Sequence, residues 1–239
     1  MKTSTENPSR PAVCLVSGGM DSAVTLAEAV RAGFRAHALS FDYGQRHSHE
    51  LDCATRVARA GGAVDHRVVK LDLSVFGGSA LTADVDVPKD RDETEIGSGV
   101  PVTYVPARNT VFLSVALAWA EVLGATDLFI GVNAVDYSGY PDCRPEFLAA
   151  FEALAGKATA AGAERGESIR VHAPLMELSK RQVVERAVEL EVDLALTHTC
   201  YDPIEQSGQV LACGHCDACS LRLKGFEEAG RVDPIGYAR

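Results

Sequence analysis

The stretch VCLVSGGMDSAVTLAEAV near the N-terminus constrains the fold of this chain more than any other. It reads as a short apolar strand over 12–16, a glycine turn, and a helix running to about Arg31. The turn is Ser17-Gly18-Gly19-Met20-Asp21-Ser22. Glycines allow a tight reversal and let backbone N–H groups approach an anion. The helix that follows points its positive end at the same spot. A lone Ser-Gly-Gly would be an ordinary capping turn. The full hexamer directly after the first strand favours a phosphate site instead. It is not a Walker A loop, because no lysine follows the second glycine.

The same rhythm repeats along the chain. Strands are predicted over 35–41, 64–70, 127–132 and 169–172. Helices are predicted over 46–60, 109–123, 145–161 and 180–190, with Gly61-Gly62 and Gly124 as stops and Ser179 as an N-cap. Strands alternating with helices specify a doubly wound, Rossmann-like α/β fold with a parallel five-stranded sheet. Ligands of such sheets bind at the carboxyl ends of the strands. Two segments break the rhythm: a long polar connection over 72–103 and a cysteine-rich stretch over 197–225.

Composition sets the boundaries. A chain of 239 residues suffices for one α/β domain with a small appended part. The expected division is a disordered tail over 1–10, a nucleotide-binding domain over 11–196 and a metal-binding part over 197–239. No run approaches the roughly 20 apolar residues that span a bilayer, and the first residues lack the apolar core of a secretory signal. A cytoplasmic protein without membrane contact is expected. The formal charge of −10 argues against stable binding of nucleic acid, itself a polyanion.

Seven cysteines in a chain without an export signal suggest metal before disulfides. Cys213, Cys216 and Cys219 form two overlapping C-x-x-C steps, and Cys200 lies upstream. Four thiolates close a tetrahedral site, so a structural zinc, one per chain, is the leading expectation. An iron–sulfur cluster is the rival for the same spacing. His215 is expected outside the ligand set. Cys14 and Cys53 read as core, and Cys143 as filler rather than a nucleophile.

Further blocks lie where strand ends meet helix starts. They are Phe41-Asp42-Tyr43-Gly44-Gln45-Arg46-His47, Val105-Pro106-Ala107-Arg108-Asn109, Asp136-Tyr137-Ser138-Gly139-Tyr140-Pro141-Asp142-Cys143-Arg144, and Lys180. Singly, their aromatics fit core positions and their arginines fit surface ion pairs. Arg108 is unusual, because a cation at a helix N-terminus is disfavoured unless an anion binds there.

The hexamer resembles the PP-loop of the N-type ATP pyrophosphatases. With the four cysteines and the blocks above, the chain from about Ala12 to Leu223 resembles the 7-cyano-7-deazaguanine synthases. That resemblance implies that ATP activates the carboxylate of 7-carboxy-7-deazaguanine, and that ammonia then gives an amide and finally a nitrile. It implies an ATP site at Val16, Ser17, Gly18, Gly19, Met20, Asp21 and Ser22, with Leu39, Ser40 and Phe41 near the adenine. Asp21 would carry Mg²⁺ with the ATP. Asp21, Lys180 and Arg108 would be the catalytic charges, the last two on phosphate. Substrate contacts would come from Tyr43, Gln45, Arg46, Arg108, Asn109, Asp136, Tyr137, Tyr140, Asp142 and Arg144. Either Asp136 or Asp142 would read the base; the other would cap or turn. Independently of the resemblance, the polar stretch over 84–100 is expected to close over the site and exclude water. A homodimer is expected from the resemblance, and ammonia would come from solution or a partner. The competing readings are a PP-loop enzyme acting on tRNA, such as a thiolase or lysidine-type synthetase, and a non-catalytic nucleotide or zinc module.

Overall fold

The computed structural model describes residues 10–47, 49–96, 99–133 and 139–238. Of the expected tail, only Arg10 falls among them. β1 (Pro11–Leu15), β2 (Arg35–Asp42), β3 (Asp65–Lys70), β4 (Asp127–Phe129) and β5 (Arg170–His172) form one parallel sheet in the order β3-β2-β1-β4-β5. The order reverses between β1 and β4, which leaves a crevice at their carboxyl ends.

Side-chain alternation explains why β1 and β2 read as unbroken apolar runs. Val13, Leu15, Leu39 and Phe41 face α4 (Arg108–Leu123) and α5 (Pro145–Ala158), packing with Leu113, Trp119, Leu148 and Phe151. Ala12, Cys14, Ala36 and Ala38 face the other side, against Leu26 and Ala29 of α1 (Met20–Arg31) and Ala54 and Val57 of α2 (His49–Ala60). A parallel strand covered on both faces needs no polar side. The small residues on the second face let α1 and α2 approach closely. Cys14 lies wholly in this core, and burial pushes its thiol up to about 12.

α7 (Lys180–Glu189) begins with a complete capping box, Ser179 accepting from Gln182 N and the Gln182 side chain accepting from Ser179 N. Such a cap contributes about 1 kcal/mol.

The structure departs from expectation at several edges. The helix expected from residue 46 starts at His49. The helix expected over 145–161 breaks at Thr159, whose hydroxyl accepts from Gly162 N and caps a separate α6 (Ala160–Arg165). β4 and β5 are shorter than expected. The cysteine-rich stretch also contains regular structure that composition hid. A hairpin, β6 (Ile204–Gln206) and β7 (Gln209–Leu211), turns through Ser207 and Gly208, both at positive φ, as tight hairpins require. α8 (Asp217–Glu228) then packs on α7, and its Phe226 joins Met20, Val24, Val183 and Val184 in one apolar cluster.

The long connection contains a 3-10 turn over Ser74–Phe76 and a short helix, α3 (Glu93–Ile96), and runs across the cysteine cluster. Lys89 bridges Cys216, Asp90 N donates to His215 O, and Arg91 makes a two-pronged ion pair with buried Asp217. His215 is exposed and pairs with Asp90 at 2.7 Å. No helix among the described residues is long and apolar enough to cross a membrane.

Candidate active site

The turn expected to hold phosphate lies at the end of β1, in the crevice where the strand order reverses. Gly18 has φ +88, and a Cβ there would sit 2.4 Å from Glu50 O and 2.7 Å from Ala54 N. Only glycine lets the turn press against α2. Gly131, after β4, plays the same part from the other side, where a Cβ would lie 3.0 Å from Ser22 N. Ser22 Oγ accepts from Ser17 N at 3.1 Å and donates to Gly19 O at 2.9 Å, which fixes the loop. No side chain caps the N-terminus of α1. The orphan amides there suit an anion.

Asp21 stands in the first turn of α1. Its carboxylate takes both of its hydrogen bonds from Lys180 Nζ, at 2.8 and 3.1 Å. Both side chains are largely buried. Lys180 does not itself line the cleft but reaches it through Asp21. Gly225 of α8 makes this possible, since a Cβ at that position would lie 3.0 Å from the Lys180 stem.

One large cleft opens over the turn. Val16, Ser17, Gly19, Asp21 and Ser22 form its floor, with Leu39, Ser40 and Phe41 along the end of β2. Met20 does not reach it: its side chain is fully buried in the α1–α7–α8 cluster, so only its backbone could meet a nucleotide. Phe41 stacks on Phe112 with centroids 4.0 Å apart, and Tyr43 meets Phe112 edge-on at 5.4 Å. This gives the cleft a flat aromatic wall. Tyr43, Gln45, Arg46, Arg108, Asn109 and Tyr140 all line it. Gln45 also braces its own turn, accepting from Tyr43 N at 2.8 Å.

Arg108 opens α4 directly after Ala107, which is held at φ +54. Burial alone would favour its neutral form. The Tyr43, Tyr140 and Tyr201 oxygens and the Cys143 sulfur around it outweigh that cost and raise its pKa, so it keeps its charge. Burial in turn pushes Tyr43 up to about 12.

Other expected contacts are elsewhere. Asp142 Oδ2 accepts from Asn109 N at 2.9 Å and so caps α4 from a distant segment, which is the structural alternative for this residue. Arg144 is exposed and outside the cleft. Asp136 and Tyr137 lie outside the described residues. Cys143 lines the cleft, but burial and the nearby Asp142 push its thiol up to about 12, which suits filler rather than a nucleophile.

Sequence reasoning missed Glu50, Phe112, Leu81 and His198, all of which line the cleft. Glu50 lies one helical turn past Arg46, at the ligand end of a predicted helix, which is a signal that could have found it. Phe112 falls one turn after Arg108 and was hidden in an apolar helix. Leu81 belongs to the polar connection, and residue 46 also ties that connection down: Arg46 Nη1 donates to Val85 O at 3.0 Å.

Beside the cleft, Cys200, Cys213, Cys216 and Cys219 bring their sulfurs within 4.8 Å of one another, all buried. Cys213–Cys219 and Cys200–Cys216 are each 4.0 Å apart. Tetrahedral Zn–S bonds of about 2.3 Å require sulfurs roughly 3.8 Å apart, so the set fits a metal ion. Backbone N–H groups of Tyr201, Asp202, Cys213, His215 and Cys216 point at these sulfurs from 3.2–3.4 Å, which favours thiolates.

These features define a class: a doubly wound α/β protein with a glycine turn and an uncapped helix N-terminus at its switch point, and four cysteines placed to hold a metal beside the cleft. The family model described as "Queuosine biosynthesis protein QueC" matches residues 11–230, and the chain belongs to that family. It is 61% identical over 231 residues to the 7-cyano-7-deazaguanine synthase of Syntrophotalea carbinolica, covering 97% of this chain and 98% of that one. It is 59% identical over 226 residues to the enzyme of the same name from Desulfatibacillum aliphaticivorans, covering 95% and 96%.

Proposed function

We propose that this chain is a 7-cyano-7-deazaguanine synthase that uses ATP and ammonia to turn 7-carboxy-7-deazaguanine into the nitrile, through an adenylated carboxylate and then an adenylated amide. The observation that carries this reading is the 17–22 turn and Asp21, backed from behind by Lys180, in one cleft with Arg108 and a flat aromatic wall. A carboxylate is a poor electrophile, and linking its oxygen to the α-phosphorus of ATP supplies AMP as a leaving group. The substrate oxygen is the nucleophile, so the protein needs no reactive serine or cysteine. Its work is positioning and charge stabilisation.

In this reading the amides of Ser17 to Ser22 hold the β,γ-phosphates, and Leu39, Ser40 and Phe41 flank the adenine. Asp21 would hold Mg²⁺ with the nucleotide, and that ion would neutralise phosphate charge. Lys180 and Arg108 then meet the negative charge that grows on the phosphates. Tyr43, Tyr140 and Phe112 offer surfaces for the deazapurine. Gln45, Arg46 and Asn109 are the polar candidates around it, with Asp136 and Tyr137 as further contacts. The four cysteines would hold one structural zinc, which cross-links the 200–219 segment. The functional division runs between an ATP-binding part over 11–196 and the metal-binding part over 197–239. A homodimer in the reducing cytoplasm, with ammonia drawn from solution, completes the reading.

The experiment supplies 7-carboxy-7-deazaguanine, ATP, Mg²⁺ and ammonium to zinc-loaded protein and looks for the nitrile by mass spectrometry. Nitrile formation with AMP and pyrophosphate as co-products is expected. Folded, metal-loaded protein that makes neither amide nor nitrile would refute the reading.

A further inference from the structure

Two carboxylates line the cleft among the described residues, Asp21 and Glu50. Asp21 is engaged by Lys180. Glu50 makes no hydrogen bond and no ion pair with any described residue, although it stands in the first turn of α2 with its backbone pressed on Gly18. A half-buried carboxylate left without a protein partner at the edge of a cleft can accept hydrogen bonds from a ligand that enters it. The charged and titratable groups that act on it are Arg108 from α4, Tyr43 from the segment after β2, and Cys53 on its own helix. Burial raises its pKa to about 7, against the pull of Arg108. It can therefore both accept and return a proton near neutral pH.

The proposed reaction poses a problem that such a group answers. At neutral pH the nitrogen donor in solution is almost entirely the ammonium cation, which has no lone pair. We propose that Glu50 is the ammonium site: its carboxylate binds NH₄⁺ in the cleft and takes a proton to release NH₃ beside the activated carboxyl carbon. This rests on the reading of the function given above. In balance, NH₄⁺ and carboxylate give NH₃ and carboxylic acid. The nitrogen lone pair forms the C–N bond, and the C–O bond to AMP breaks with its electrons leaving on AMP. Glu50 passes its proton to water and accepts the surplus proton from the new C–N nitrogen, which leaves the primary amide. After the amide oxygen displaces pyrophosphate from a second ATP, two protons leave the nitrogen in turn. The second goes as the C–O bond to AMP breaks and the third C–N bond forms, giving the nitrile. Glu50 is positioned to accept each of these protons.

The test uses the full-length, zinc-loaded protein with Glu50→Gln and Glu50→Asp. Pyrophosphate release with the carboxylate substrate and no ammonium should stay within about twofold of wild type in Glu50→Gln. Ammonium-dependent amide and nitrile formation should fall by about 10²–10⁴-fold, the usual scale for loss of a general base. Hydroxylamine, which is mostly neutral at pH 7 and needs no deprotonation, should restore acyl transfer to near the wild-type rate. Glu50→Asp should fall between the two. Ammonium turnover by Glu50→Gln within threefold of wild type would overturn the proposal. So would an equal loss with hydroxylamine, or loss of the pyrophosphate step itself, because either would make Glu50 a structural or nucleotide-holding residue. A wild-type protein that releases no pyrophosphate would sink the functional reading and this proposal together. A wild type that makes nitrile beside an unimpaired Glu50→Gln would sink the ammonium site alone.

Discussion

Replacing Asp233 by alanine tests how the C-terminal tail is bound to the rest of the fold. Arg222 of α8 is 1% exposed and Asp233 4%. The guanidinium donates to Asp233 through Nε at 2.7 Å and Nη2 at 2.9 Å, to Thr197 and Thr199 hydroxyls at 2.8 and 3.0 Å, and to Leu194 O at 3.3 Å. Asp233 also accepts from Tyr237 OH at 2.6 Å and Ile235 N at 3.2 Å. Removing it leaves a buried cation among neutral dipoles, which costs about 3–5 kcal/mol. The freed Tyr237 and Ile235 donors push the cost toward the upper end. With a urea slope near ~3 kcal/mol per molar, the midpoint should fall by about 1–1.7 M at unchanged slope. The assay is equilibrium urea unfolding of metal-loaded protein followed by tryptophan fluorescence and far-UV dichroism. A double variant, Arg222→Met with Asp233→Leu, removes both charges and should be more stable than Asp233→Ala alone. A midpoint shift under ~0.3 M for Asp233→Ala, or a double variant less stable than the single, would refute the reasoning.

Three further outcomes follow from the same geometry. Asp21→Asn should lower pyrophosphate release by about 10²-fold or more while costing only about 1–2 kcal/mol of stability, since Lys180 keeps an acceptor; paired activity and urea measurements check this, and unchanged activity would contradict it. Glu50→Gln should alter the pH dependence of stability. The folded pKa of about 7 lies above the ordinary 4.5, so the glutamate's contribution is full below pH 4.5 and is lost as pH rises through about 7. The nucleotide-free variant should therefore match wild type near pH 4.5 and exceed it by about 1–3 kcal/mol at pH 8, the lower figure reflecting partial exposure of the side chain. A constant difference across that range would count against it. Cys200→Ser should lower metal content from about one zinc per chain and loosen the 200–219 segment, read by metal analysis and hydrogen exchange; iron at several atoms per chain would instead support a cluster.

The sheet was legible because its strands are buried on both faces, so the apolar runs over 12–16 and 35–41 stand out against polar connections. The strand–turn–helix at 11–31 was legible because its signals are local: two glycines, two hydroxyls and a helix start. The hairpin over 204–211 was not, since its strands are only three residues long and the first is exposed throughout. α8 went unread because its first three residues lie inside the C-x-x-C-x-x-C motif, which draws attention to ligands rather than to helical periodicity. The break at Thr159 depends on one hydroxyl competing with a helical hydrogen bond, a choice that propensity cannot anticipate. Behind the cleft walls, Asp142 as a cap and Lys180 as the partner of Asp21 are long-range pairings that spacing does not encode. Glu50 escaped because a lone acid near a helix N-terminus is an ordinary surface residue until Gly18 draws α2 onto the turn.

The central claim is that the substrate carboxylate attacks the α-phosphorus of an ATP cradled by the 17–22 turn. Turnover of 7-carboxy-7-deazaguanine carrying ¹⁸O in its carboxyl group, with ammonium and unlabelled ATP, tests it directly. The account expects both labelled oxygens to leave in AMP, one for each activation, with unlabelled pyrophosphate. Label appearing in orthophosphate alongside ADP would place the attack on the γ-phosphorus and contradict it.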